Sequence, residues 1–253
     1  MMDYKMLVDM ATLAGEIMLS SGAETYRVED TMCHILKTSN CKSIEALALM
    51  TGIVVTVNDD SMEKPITMVT TIKDRNTNLN NVIKVNDISR KYCGQEITLE
   101  EAYERLQNVK EKQYNRTIYN IATVGIATGF AMMFGGGVLD VACATAIGVA
   151  VAAVITVCKL VKMDGILSNI LSGFAIGFLA TVLKTILSTD MNADVVIVSA
   201  IMPIVPGVAI TNAIRDTLQK DYLSGCARIL EAFLIAATLT VGVGLGMVGG
   251  GLL

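Results

Sequence analysis

The sequence predicts an α-helical membrane protein: a small cytosolic α+β domain over residues 1–116, followed over 117–253 by a five-helix transmembrane bundle whose fourth helix is broken. Three observations predict it. Of the 44 Lys, Arg, Asp and Glu residues, 31 lie in residues 1–116 and only 13 in the rest, so the chain changes character near Arg116. Past that point, apolar runs of about 20 residues, the length that crosses a bilayer core, recur at 118–138, 140–160, 166–187, 194–212 and 228–248. Within the fourth run, Pro203 and Pro206-Gly207 each interrupt the helical hydrogen-bond ladder.

In the first part, Met6, Leu7, Met10, Leu13, Ala14 and Ile17 give residues 4–20 the spacing of an amphipathic helix. That helix stops at Ser20-Ser21-Gly22, where glycine is the usual terminator. A second helix fits Glu24 to Lys37. Alternation and β-branched residues then predict strands at 44–49, 52–58 and 66–73, with Asn58-Asp59-Asp60-Ser61 as a turn. Helices at 78–92 and 98–114 complete the domain, the last leading into the first span.

In the second part, Gly125/Gly129, Gly173/Gly177 and Gly242/Gly246 are each four apart, a spacing that lets helices approach closely in lipid. Small residues continue from Gly242 to Gly251. Basic residues flanking the spans set the orientation. With the N-terminus inside, Lys110, Lys112, Arg116, Lys159, Lys162, Arg215, Lys220 and Arg228 fall on the cytoplasmic side, and only Lys184 outside. The C-terminus is then external. Asn169 is the isolated polar group best suited to face a pathway, while Lys184 is expected to reach outward to Asp190 or Asp194.

Several functions are disfavoured by the same composition. A net charge of −4 and no basic patch argue against nucleic acid. No Gly-x-x-x-x-Gly-Lys-Ser/Thr loop is present, which argues against an ATP-driven pump in this chain. His34 is the single histidine, and Cys33 beside it points from a different helix face, so no enzyme, metal site or cofactor is expected. The six cysteines form no Cys-x-x-Cys pair and read as reduced, buried thiols.

Two stretches carry chemistry. The corner from Ser20 to Glu29 brings a helix end, a glycine turn and a helix start together with Glu24, Arg27 and Glu29 around Gly22. It reads equally as a helix–turn–helix corner and as a docking or gating site. The stretch VPGVAITNAIRD places Pro206, Gly207, Asn212, Arg215 and Asp216 inside apolar sequence, and Asp221, Arg228 and Glu231 follow across a short turn. A half-helix starting at Gly207 or Val208 would aim its positive dipole end into the membrane, where a carboxylate is the natural ligand. These residues read either as a substrate site or gate, or as paired ions in which Arg215 balances Asp216 or Glu231.

The run PGVAITNAIRDTLQKDYLSGCARILEAFLIAATLTVGVGLG from Pro206 to Gly246, with LSSGAETYRVEDTM from Leu19 to Met32, resembles the threonine/serine exporter family of bacterial inner-membrane proteins. Because the chain stops after five spans, the resemblance is to the large subunit of the split, two-component form. It implies a small integral-membrane partner supplying the second membrane half, with the glycine-rich stretch from Gly242 to Gly251 as the expected contact, a lipid bilayer environment, and export of a small carboxylate substrate: threonine, serine or a dicarboxylate such as succinate. A homo-oligomer is compatible with it. With proton coupling, Asp216, Asp221 and Glu231 are the candidate carriers. The alternative reading is a membrane-anchored sensor or scaffold whose cytosolic domain binds a ligand.

Overall fold

The computed structural model describes residues 3–73, 75–109, 115–187 and 191–252. Lys110, Lys112 and Asp190, which entered the reading of topology, lie outside them. The chain forms two compact units, Met1–Lys112 with Val208–Leu230, and Gln113–Gly207 with Glu231–Leu253.

The first unit opens with α1 (Tyr4–Ser20), which begins where the Asp3 carboxylate accepts the Met6 N–H at 3.1 Å. Its apolar face buries Leu7, Met10, Ala14 and Met18. Helix α2 (Thr25–Lys37) adds Val28, Met32, Ile35 and Leu36 to the same core. Strands β1 (Ser43–Leu49), β2 (Gly52–Asn58) and β3 (Ile66–Thr71) follow as an antiparallel meander in that order. Leu49 pairs with Gly52 across a two-residue loop, which fixes the register so that Ile53, Val55 and Val57 of the central strand all point into the core. Each such fully buried aliphatic contributes about 1.5–3 kcal/mol. Helices α3 (Leu79–Cys93) and α4 (Leu99–Gln107) begin at Asn78 and Thr98, whose side chains cap them. Helix α4 stops seven residues short of the predicted 114, where the Asn108 amide bonds back to the Glu104 carbonyl at 3.0 Å.

The remaining helices are α5 (Arg116–Met133), α6 (Val138–Leu160), α7 (Gly165–Leu187), α8 (Ala193–Ile201), α9 (Gly207–Leu218) and α10 (Tyr222–Gly251). Among the described residues, α6, α7 and α10 are long and apolar enough to cross a membrane. The first predicted run forms the 18-residue α5, whose early turns carry Arg116 and Asn120 and so lower its hydropathy. The fourth run forms two short helices, with the backbone interrupted between Ile201 and Gly207 where Pro203 and Pro206 remove donors.

In the second unit α7 and α10 pack backbone to backbone. A Cβ added at Gly173 or Gly177 would collide with the carbonyl oxygens of Leu239 or Val243, and one at Gly242 or Gly246 with those of Ile170 or Phe174. The two glycine pairs therefore satisfy each other. The face of α10 that carries Gly242 and Gly246 is thus covered by α7, while a Cβ at Gly244 or Gly251 would meet nothing within 4 Å among the described residues. Gly125 and Gly129 on α5 have open space around them. Asp140 is buried, with its two oxygens accepting the N–H groups of Gly137 at 2.9 Å and Asn192 at 2.8 Å, so it ties the start of α6 to that of α8. Asn169 is half-buried and Lys184 exposed. In the first unit His34 is an exposed residue whose Nδ1 lies 2.8 Å from the Asp30 carbonyl oxygen. No group of three or more His, Cys, Asp and Glu among the described residues is arranged to hold a metal. The six free thiols are not uniformly buried as predicted: Cys143 and Cys158 are, Cys33, Cys41 and Cys93 are half-buried, and Cys226 is exposed.

Candidate functional site

The corner between α1 and α2 is rigidly built. Gly22 adopts φ +83°, a left-handed conformation that side chains disfavour. The loop before α3 braces the turn, with the Asn76 N–H donating to the Ser20 carbonyl at 2.8 Å and the Asn78 N–H to that of Ser21 at 3.0 Å. The chain then enters α2 through Glu24, which takes the extended angles of an N-cap yet makes no capping bond with its side chain. The corner thus presents the carbonyls of Gly22 and Ala23 beside the N-terminus of α2, groups that need outside partners when buried.

Those partners come from the α9–α10 hairpin. Asp216 follows Ala213 by three residues and Asn212 by four, so the three share one buried helical face. Helix α9 ends at Leu218, Lys220 turns the chain at φ +70°, and the Asp221 carboxylate receives the Ser224 N–H at 3.1 Å as α10 starts. Gly225 lets the two helices close on each other: a Cβ there would strike the Thr217 hydroxyl and lie 3.2 Å from the Ala213 carbonyl.

Hairpin and corner meet in one polar network. The Asn212 amide donates to the Gly22 carbonyl at 2.9 Å, and the Arg228 Nη2 to the Ala23 carbonyl at 2.8 Å. Arg228 Nε donates to Asp216 Oδ2 at 2.8 Å. Asp216 Oδ1 accepts the backbone N–H of Thr25 at 3.3 Å and its hydroxyl at 3.0 Å. Asp216 therefore caps α2 from 191 residues away, where the helix dipole favours an anion. Asp216 is 0% and Arg228 6% exposed, so the pair is fully withdrawn from water. The Thr25 hydroxyl also lies 2.8 Å from Asp221 Oδ2. With one hydrogen, it donates to one carboxylate at a time. At the rim Arg215 pairs with Glu24, and Arg27 approaches the other Glu24 oxygen at 3.8 Å.

Glu29 stands one helical turn beyond Thr25 and accepts the Ala48 N–H at 2.9 Å. Burial raises its carboxyl above the ordinary value. The Ala48 bond opposes that rise, and the negative charges of Asp221 and Asp216 add to it. The Ser224 hydroxyl is buried beside Asp221's own capping bond and has no hydrogen-bond partner among the described residues.

Seven of the residues singled out in the sequence are thereby assembled in one unit: Gly22, Glu24, Asn212, Arg215, Asp216, Asp221 and Arg228. Arg27 joins through Glu24, and Glu29 through its charge. Pro206, Gly207 and Glu231 belong to the second unit, and Glu231 is exposed. Arg215 pairs with Glu24, a partner the sequence reading did not name; Asp216 points to the buried face, while the Arg215 side chain is 56% exposed. Thr25, the hub of the network, was missed. Its signal was a threonine at the start of a helix, a capping position.

Comparison with known proteins bears on this arrangement. The family model ThrE, described as "Putative threonine/serine exporter", matches residues 9–249, which include both the corner and the hairpin. No curated protein and no solved structure matches the chain.

Proposed function

The chain belongs to the threonine/serine exporter family, and we propose that within it this protein is the large subunit of a two-component secondary exporter of small carboxylate-bearing metabolites. It works in a bacterial inner membrane, with residues 1–116 in the cytoplasm and the C-terminus outside. Five crossings are counted with α5 as the first and the interrupted α8–α9 pair as the fourth, and a smaller integral partner supplies the second membrane half. Threonine, serine or a dicarboxylate such as succinate is the cargo. Protons are the coupling ion, carried among Asp216, Asp221 and Glu231.

The observation that carries this reading is the interruption between Ile201 and Gly207 within apolar sequence. Broken helices mark substrate sites in transporters, because a half-helix turns its dipole toward an anionic group. Helix α9 begins at that break and bears Asn212, Arg215 and Asp216 further along. One observation favours the second reading, a membrane-anchored sensor: Asp216 and Arg228 are engaged with each other and with the corner, as in a structural joint.

Reconstitution separates the two. Inverted vesicles containing the chain with its neighbour-encoded partner should accumulate threonine, serine or succinate when a proton gradient is imposed, and vesicles with either protein alone should not. Disruption of Pro206-Gly207 should abolish that uptake. A sensor would show no uptake in any of these preparations and would tolerate the substitution.

A further inference from the structure

The N-terminus of α2 carries a local acid that it does not use. Glu24 occupies the N-cap position with φ −67° and ψ 139°, the extended geometry of a capping residue, and forms no cap bond. Asp216 takes the Thr25 N–H instead, and Asp216 and Asp221 both lie within reach of its hydroxyl. Meanwhile one oxygen of Glu24 is held by Arg215 of the hairpin. The other, in a side chain 7% exposed, has no hydrogen-bond partner among the described residues and lies 3.8 Å from the Arg27 guanidinium. A buried carboxylate oxygen left without a donor is unfavourable. It persists here because the hairpin's arginine draws the carboxylate away from the helix end.

Withdrawing the hairpin reverses each of these conditions together. Asp216 leaves α2, so the first turn loses its acceptor. Arg215 leaves Glu24, so the local acid is released at the very helix end that now lacks an anion. We propose that Glu24 is a conformational toggle: with the hairpin seated it pairs with Arg215, and with the hairpin released it turns back to cap α2 itself. Both states then satisfy the helix end, so seating and release are two discrete arrangements, each with its own cap. As a gate, the toggle rests on the transporter reading. The exchange of caps does not, and it is measurable without cargo or partner.

Hydrogen exchange at Thr25 to Val28 in the full chain in lipid nanodiscs tests it. Asp216→Ala with Arg228→Met removes both members of the buried pair, so neither charge is stranded, and unseats the hairpin. In the wild type, Glu24→Ala should change first-turn exchange less than about twofold, because Asp216 still caps. In the released variant the same substitution should accelerate it about fivefold, the effect of losing a last cap of ordinary strength. An equal effect of Glu24→Ala in both backgrounds would overturn the proposal, as would a first turn already fully exchanged in the released variant with Glu24 present. Should that variant not insert, Asp216→Ala with Arg228→Gln withdraws the same cap and cation with a polar filler, and the same comparison decides. Loss of uptake with normal exchange behaviour would count against the transporter reading and leave the toggle standing.

Discussion

Replacing Arg228 with methionine should expose how the first unit is held together. The guanidinium is 6% exposed and bonds two groups, Asp216 Oδ2 and the Ala23 carbonyl, each at 2.8 Å. Methionine fills much of the volume but leaves the fully buried Asp216 carboxylate without its cation. Breaking a buried pair from one side costs about 3–5 kcal/mol, most of it the stranded charge. In a unit of this size about 1 kcal/mol moves the midpoint by roughly 3–4 °C, so thermal unfolding followed by circular dichroism in detergent should fall by about 10–20 °C. Adding Asp216→Asn removes the stranded charge and should restore at least half of that loss. Arg228→Lys keeps the charge, yet one ammonium nitrogen does not span both acceptors as the planar fork does, and a smaller loss of about 1–2 kcal/mol is expected. A double variant no more stable than Arg228→Met would refute the claim that Asp216 and Arg228 act as a pair.

Other substitutions read other parts of the molecule. Arg215→Glu alone should weaken the corner, and with Glu24→Arg should regain wild-type stability and transport if this arginine only pairs; a stable but inactive swap would mean that Arg215 handles the cargo. Because the Arg215–Glu24 pair is half in solvent, Arg215→Lys should alter stability by no more than about 1 kcal/mol. Gly177→Leu or Gly246→Leu should separate α7 from α10 and lower the yield of folded protein in membranes, whereas Gly125→Leu, which meets open space, should be tolerated by the isolated chain. Glu29 holds its proton to higher pH folded than unfolded, so its contribution to stability is full below the ordinary value of 4.5 and is lost as pH rises through the higher folded value. Melting curves across that range should flatten in Glu29→Gln, and an unchanged slope would remove Glu29 as its source.

Local patterns were legible in the sequence. The apolar spacing of Met6 to Ile17 and the Ser20-Ser21-Gly22 stop gave α1, and alternation along GIVVTVN gave β2 in its observed bounds. The prolines gave the break before α9. What was not legible is long-range. Nothing near Asp216 announces that its partner at a helix end is Thr25, because a cap supplied by a distant segment leaves no fixed spacing to read. Arg215 was paired with neighbours in sequence since helical periodicity alone does not say which face is buried. The glycines at 242 and 246 were visible as a close-packing signal, but α7 and a partner helix would have left the same mark. Helix α4 was overextended because the Asn108 back-bond is a terminal detail that composition does not carry.

The first unit is completed by Val208–Leu230, while its other residues end at Lys112. That division imposes an order on biosynthesis. About 95 residues separate the two segments, so at roughly 5–20 residues per second a ribosome needs on the order of 5–20 s between them. Throughout that interval the nascent corner presents the Gly22 and Ala23 carbonyls and the start of α2 to water with no hairpin to receive them. The first unit is therefore complete only after helices α5 to α8 have been synthesised, and its maturation reports that they have been made.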